Sequence, residues 1–117
     1  MKIYNFNDHL KGDTFKGMTF RMSNATTATP INLTDSEINI QFRVGSKTGR
    51  VQKHISIGNG ITLTDAVNGV FNIDPIIKLN WYVNLYYYDV EITFLDGTIK
   101  TYFGGTLKVV QDTTNIE

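Results

Sequence analysis

The sequence contains no cysteine, which excludes a disulfide framework and any thiolate metal site. It fits a reducing cytosol or a particle assembled in one. Neither charge is in excess: 11 basic residues balance 11 acidic ones, and the two signs mostly alternate along the chain. The basic stripe that a phosphate backbone requires is missing, so nucleic acid is not an expected partner. The first residues, Met1 to Asp8, carry no apolar signal-peptide core, and no later run approaches the length of a membrane span. The expectation is a protein made and used without secretory export, with no membrane as its partner. Asn24-Ala25-Thr26 and Asn32-Leu33-Thr34 match the N-glycosylation pattern, but without a signal they read as chance occurrences in polar loops. Helical spacing is nearly absent as well.

What is present is a period of two, the mark of strands with one buried face. Ile38, Ile40, Phe42 and Val44 alternate with Glu37, Asn39, Gln41 and Arg43, as a half-buried antiparallel strand requires. Met18, Phe20 and Met22 do the same. Phe15 is out of that phase, and a bulge at Gly17 would bring both sets to one side. Shorter strands are expected at Tyr4 and Phe6, Val51 to Ile57, Ile61 to Leu63 and Val70 to Ile73, separated by Gly, Asn, Asp and Thr turns. Asp74-Pro75 suits the start of a short helical turn over Asp74 to Leu79, with Asp as cap and Pro in the first position.

The stretch Leu85-Tyr86-Tyr87-Tyr88-Asp89-Val90-Glu91-Ile92 splits by parity. Tyr86, Tyr88, Val90, Ile92 and Phe94 share an inner face, and Tyr87, Asp89, Glu91 and Thr93 an outer one. Asp96-Gly97 follows, a hairpin signal for a two-residue type I′ turn. That turn pairs Phe94 with Ile99, Ile92 with Thr101, Val90 with Phe103, Tyr88 with Gly105 and Tyr86 with Leu107. Outside, it sets Glu91 opposite Tyr102 and Thr93 opposite Lys100. Gly105 is expected to make room for the Tyr88 ring.

Seven or so short strands with turns every eight to twelve residues predict an all-β fold, a two-sheet antiparallel immunoglobulin-like sandwich forming one domain over residues 1–117. Residues 113–117 are expected to be a flexible tail. The disulfide and tryptophan of that fold's best-known members are absent, while Tyr86 suits the tyrosine whose hydroxyl anchors the preceding corner.

The chemical inventory points away from catalysis, and no enzyme activity, metal or cofactor is expected. Gly45-Ser46-Lys47-Thr48-Gly49-Arg50 lacks the spacing and the helix of a phosphate loop and reads as a hairpin loop. Gly58-Asn59-Gly60 reads as a turn. His9 and His54 have no partner at a motif spacing. Asp89 and Glu91 project from one strand face beside Lys100, where a solvated charge ladder is the simpler account than an acid/base pair. The aromatics left for an interface are Trp81, Tyr82, Tyr87 and Tyr102, joined by Tyr4 and Phe6 on an N-terminal edge strand. For Trp81 the alternative is a plug at the end of the sandwich.

Several of these features recur in a fixed order: Lys11-Gly12-Asp13-Thr14-Phe15, Pro30-Ile31-Asn32-Leu33-Thr34, Gln41-Phe42-Arg43 and Gly60-Ile61-Thr62-Leu63. After them come Asn68-Gly69-Val70-Phe71-Asn72-Ile73, Tyr86-x-Tyr88-Asp89-Val90-Glu91, Asp96-Gly97, and Gly105-x-Leu107-x-Val109 closing at Asp112-Thr113-Thr114. In this order they resemble the N-terminal domain of tailed-phage baseplate upper proteins and similar small prophage tail structural proteins. The Thr-rich loop Asn24 to Thr29 and Asn84 depart from that pattern. The resemblance implies an immunoglobulin-like sandwich that attaches a tail component to the virion without catalysis. Its expected partners are other virion and tail proteins, with a homo-oligomer at high concentration. A carbohydrate- or protein-binding module is the alternative, and a small enzyme the third reading.

Overall fold

The computed structural model describes residues 2–111, so the expected tail and the Asp112-Thr113-Thr114 end of the resemblance lie outside the described residues. The chain is all-β. It forms β1 (Lys2–Ile3), β2 (His9–Leu10), β3 (Met18–Arg21), β4 (Glu37–Val44), β5 (Val51–Ile57), β6 (Gly60–Asp65), β7 (Val70–Ile73), β8 (Asn84–Thr93) and β9 (Ile99–Val110). Hydrogen bonding links them in one path, β1-β9-β8-β4-β5-β6-β7-β3, with β2 also on β9.

This is a single curled sheet of mixed direction, where two antiparallel sheets were expected. β1 and β2 run parallel to β9, and β5 meets β6 in a short parallel contact, Ser56 with Gly60 and Ile57 with Ile61. The Gly58-Asn59-Gly60 corner allows that contact: the chain loops tightly and resumes its direction, bending the path over on itself. The two ends of the path then meet through side chains. The Phe20 ring of β3 lies 4.8 Å from that of Phe103 of β9 and 5.8 Å from that of Tyr4. The result is a half-barrel, open along the seam between β3 and β1/β9.

Alternation places the core. Ile38, Ile40 and Phe42 of β4 and Tyr86, Tyr88, Val90 and Ile92 of β8 are buried, as the period of two required, and they join Leu33, Phe71, Leu79, Leu107 and Val109 in one cluster. Phe15 and Met22 both reach that cluster, because Gly17 takes a left-handed conformation (φ 83°) between them.

The arrangement of the sheet is not the only expectation corrected. Asp74 to Leu79 forms no helical turn: Ile76 bridges Phe15 in extended conformation, with Phe15 N–H donating to Ile76 C=O and Ile76 N–H to Phe15 C=O, both at 2.8 Å. Pairing with the chain before β3 satisfies those backbone groups better than one isolated turn, whose nucleation is costly. The β8–β9 hairpin also departs from the expected register beyond its base. Tyr86 faces Leu107, Tyr88 faces Gly105 and Val90 faces Phe103, but a bulge then shifts the pairing. Glu91 stands opposite Thr101, Ile92 opposite Lys100 and Thr93 opposite Ile99, leaving Tyr102 as the extra residue. The turn is accordingly one residue longer than type I′. Gly97 N–H donates to Phe94 C=O, and Gly97 itself is left-handed (φ 90°), the arrangement of a type I turn closed by a glycine bulge. Ile99 is therefore not packed beneath Phe94 but is 64% exposed.

Gly105 does make room, though for a different neighbour. A side chain there would run into the backbone carbonyl of Tyr4, so the glycine lets the N-terminal segment cross β9. The Tyr88 hydroxyl donates to that same carbonyl at 2.6 Å. No helix of the described residues is long and apolar enough to cross a membrane.

Candidate functional site

Antiparallel pairing of β4 with both β5 and β8 aligns the polar halves of three alternating strands. Gln41 stands between His54 and Asp89, Asn39 between Ser56 and Glu91, and Arg43 beside Tyr87. All of these but Ser56 line a trough of about 580 Å³ on the outer face of the sheet, with Lys47 and Thr48 of the β4–β5 loop among its walls. Several groups are already held in place. Arg43 donates from Nη2 to Gln41 Oε1 at 2.6 Å and from Nη1 to the Gly49 carbonyl at 2.9 Å, which fixes the guanidinium plane along the strand. His54 Nε2 lies 2.8 Å from Asn39 Oδ1.

The chemistry this permits is hydrogen bonding. Arg43 and Lys47 supply donors, Asp89 and Glu91 acceptors, Asn39 and Gln41 both, and half-buried Tyr87 an aromatic platform. Asp89 and Glu91 are two residues apart on one strand, about 6.7 Å along one wall, whereas carboxylate pairs that cleave glycosidic bonds flank the scissile bond from opposite sides. Among the described residues no group of three or more His, Cys, Asp or Glu could hold a metal ion.

The aromatics singled out from the sequence disperse. Trp81 is half-buried with its ring 5.0 Å from Tyr86 and 5.4 Å from Phe42, the plug arrangement. Tyr82 is 77% exposed, with Lys11 Nζ 4.8 Å from its ring centre, and its carbonyl accepts the Tyr86 hydroxyl at 2.6 Å. That bond ties the residue four positions upstream to the start of β8, the anchoring role the sequence suggested for Tyr86. Tyr87 lies in the trough. Tyr102 is at the bulge, half-buried, with its ring against Phe94 and 5.0 Å from Lys100 Nζ. Phe6 is not at the surface: it is 8% exposed and packs on Tyr4, Phe15 and Tyr88, because the segment after β1 turns its large side chain under the curl. Tyr4 stays at the rim.

Burial raises the phenol pKa of Tyr86, against a smaller opposing pull from Arg50, and raises those of Tyr88 and Tyr102 too. These phenols stay neutral at any physiological pH. Asn39, Gln41, Arg43 and His54 were legible only as the polar half of an alternation; their meeting with Tyr87 and Asp89 depends on strand neighbours that periodicity does not specify. The two glycosylation-like asparagines have a local task. Asn24 Oδ1 accepts the Thr26 and Thr27 N–H groups and Asn32 Oδ1 the Thr34 N–H, so each Asn-x-Thr is a turn whose side chain caps its own backbone.

No protein-family model matches the chain, and no curated protein does.

Proposed function

We propose that this chain is a non-catalytic attachment domain that works through protein–protein contacts, and that its setting is the tail or baseplate of a phage or prophage particle. The observation that supports attachment is the open sheet. Its path ends on β3 at one side and on β1 at the other, two strands with no neighbour beyond them among the described residues, while apolar Ile3, Leu95 and Ile99 stay exposed. Unpaired edges and exposed apolar side chains are what association between chains uses. The phage setting rests on the sequence resemblance alone. In fold terms the same reading takes the curled sheet as an immunoglobulin-like sandwich, with β1-β9-β8-β4-β5 and β6-β7-β3 as its layers and Gly58-Asn59-Gly60 as the corner between them. The Tyr86 hydroxyl on the Tyr82 carbonyl supports it, since such sandwiches pin a corner this way.

Genes flanking the coding sequence should encode tail proteins, and co-expression with their products should give a stoichiometric complex by light scattering coupled to gel filtration. Flanking genes of unrelated metabolism and no complex with any tail protein would overturn the setting.

The trough favours a second reading, a carbohydrate-binding module, because polar side chains around one tyrosine ring match the hydroxyls and apolar face of a sugar. A glycan array should then show binding that Tyr87→Ala abolishes. An array blank at millimolar glycan removes this reading.

A further inference from the structure

The seam between the two ends of the sheet is not uniform. Where Phe20 meets Tyr4 and Phe103 it is closed by aromatic rings. Towards the bulge of β9 it opens into a groove of about 810 Å³ between the end of β3 and Lys100 to Phe103. Both apolar and hydrogen-bonding requirements of an extended chain are met there. The floor is aromatic: Tyr4, Phe20, Tyr102 and Phe103 all line it. The wall is a strand edge that no other described strand uses. Met18 to Arg21 pair with β7 on one side only, and Met22 turns its N–H to Gly69 and its C=O to Ile31 on that same side. Backbone direction alternates along a strand, so Thr19, Arg21 and Ser23 present theirs to the seam.

The charge of the groove is one-sided. Lys2, Arg21 and Lys100 line it and, among the described residues, no Asp or Glu does, in a chain whose charges cancel overall. The bulge at Tyr102 is what brings Lys100 to this rim, by turning it to the side of β9 that Ile92 occupies on β8.

We propose that this groove receives an extended acidic segment of a partner protein, which pairs its backbone with the free edge of β3 and lengthens the sheet at its open end. Apolar residues at alternate positions of that segment lie on the aromatic floor, and the carboxylates between them meet Lys2, Arg21 and Lys100. The recognition mode is strand addition: main-chain hydrogen bonds give affinity and alternate side chains give specificity. This names the partner chemistry of the attachment reading and rests on it.

A peptide of about seven residues, alternating Asp or Glu with Val or Ile, is long enough to span the groove edge from Phe20 to Ser23 at about 3.3 Å per residue. Titrated into isotopically labelled protein, it should shift the amide signals of Arg21, Ser23 and Lys100 to Phe103. Three comparisons make the test specific. The same peptide N-methylated at alternate residues should not bind, because it lacks the edge donors. Arg21→Glu/Lys100→Glu, both positions exposed and the fold checked by the amide spectrum, should weaken the acidic peptide about tenfold or more. A lysine-for-acid peptide should bind that variant in preference to the wild type.

Equal binding of the N-methylated peptide, or of acidic and basic peptides to wild-type protein, would overturn the proposal, as would shifts confined to the trough around Tyr87. Self-association of the protein abolished by the charge reversal would overturn the choice of a foreign partner in favour of a second copy. The attachment reading is tested separately. A tail-protein complex that forms equally with Arg21→Glu/Lys100→Glu leaves attachment standing and sinks the groove. Peptide binding as described without any tail-protein complex does the reverse.

Discussion

The β8–β9 hairpin is two structures joined at a bulge. At its base, Tyr86, Tyr88 and Val90 face Leu107, Gly105 and Phe103, and every one of these apolar side chains is buried. At its tip, beyond Val90, the partners are Thr101, Lys100 and Ile99, and Leu95 and Ile99 are 76% and 64% exposed. The same two strands obey the register expected from their turn only where the core holds them. Shifting a buried strand by one residue would turn every inward side chain to water, whereas at the tip a one-residue shift costs little. The extra residue therefore collects where it is cheapest, at Tyr102, and the turn lengthens to match.

The largest effect should separate the two faces of the base. Tyr88 is 2% exposed, packs on Phe6 and Phe42, and donates to the Tyr4 carbonyl. Tyr88→Ala should destabilise by about 3–5 kcal/mol, as buried aromatic truncations do. Tyr87→Ala, on the outer face one residue away, should cost about 0.5 kcal/mol or less. Urea melts give both numbers, and equal losses would mean that the outer face is covered too, by a partner copy.

Glycines sharpen the comparison. Gly105→Ala places a methyl group against the Tyr4 carbonyl, so the N-terminal segment must move off β9. A loss of about 1–3 kcal/mol is expected, with faster amide exchange at Tyr4 and Phe6, whose N–H groups bond β9. Gly97→Ala at the tip meets no neighbouring atom but must hold a left-handed backbone, at about 1 kcal/mol. A larger loss at Gly97 than at Gly105 would invert the ranking of tip and base.

A smaller change tests the anchor below the base. Tyr86→Phe keeps the ring in the core and removes only the hydroxyl that Tyr82 accepts, and it should cost about 1 kcal/mol. The signals of Tyr82 and Val83 should broaden or shift while those of Val90 and Ile92 stay. Unchanged stability together with an unchanged Tyr82 amide would show that the corner holds without the bond.

Burial was legible from sequence wherever alternation was long. Ile38 to Phe42 and Tyr86 to Ile92 gave their inner faces directly, because a period of two has one physical meaning when one side is packed. Strand order was not legible. Nothing local distinguishes a chain that pairs parallel with β9, as Lys2 and His9 do, from one that pairs antiparallel. Asp74-Pro75 satisfied the local rule for a helix start, and a long-range partner, Phe15, overrode it. The trough and the groove were hidden for the same reason: Gln41 meets Asp89, and Arg21 shares a groove with Lys100, only through pairings far apart in sequence.

The smallest effect belongs to the tip, where Asp96 closes the turn. Its Oδ1 accepts the Thr98 N–H at 2.9 Å, and that backbone bond, with the Thr98 side chain second, holds its carboxyl below the usual carboxylate range. A carboxylate whose pKa is depressed on folding stabilises the folded form above its unfolded value, about 3.9, and that contribution disappears as pH falls through the lower folded value. The hairpin tip should therefore be indifferent to pH at neutrality and loosen only below about pH 4, with the Thr98 amide signal following the Asp96 titration while the Tyr88 amide does not move. Asp96→Asn keeps an oxygen acceptor for the Thr98 N–H and removes the charge, so it should preserve the turn at pH 7 and abolish the acid-induced shift. A Thr98 signal that titrates at or above the ordinary carboxylate value would show that this bond does not hold the turn in solution, and that the tip is set by Gly97 alone.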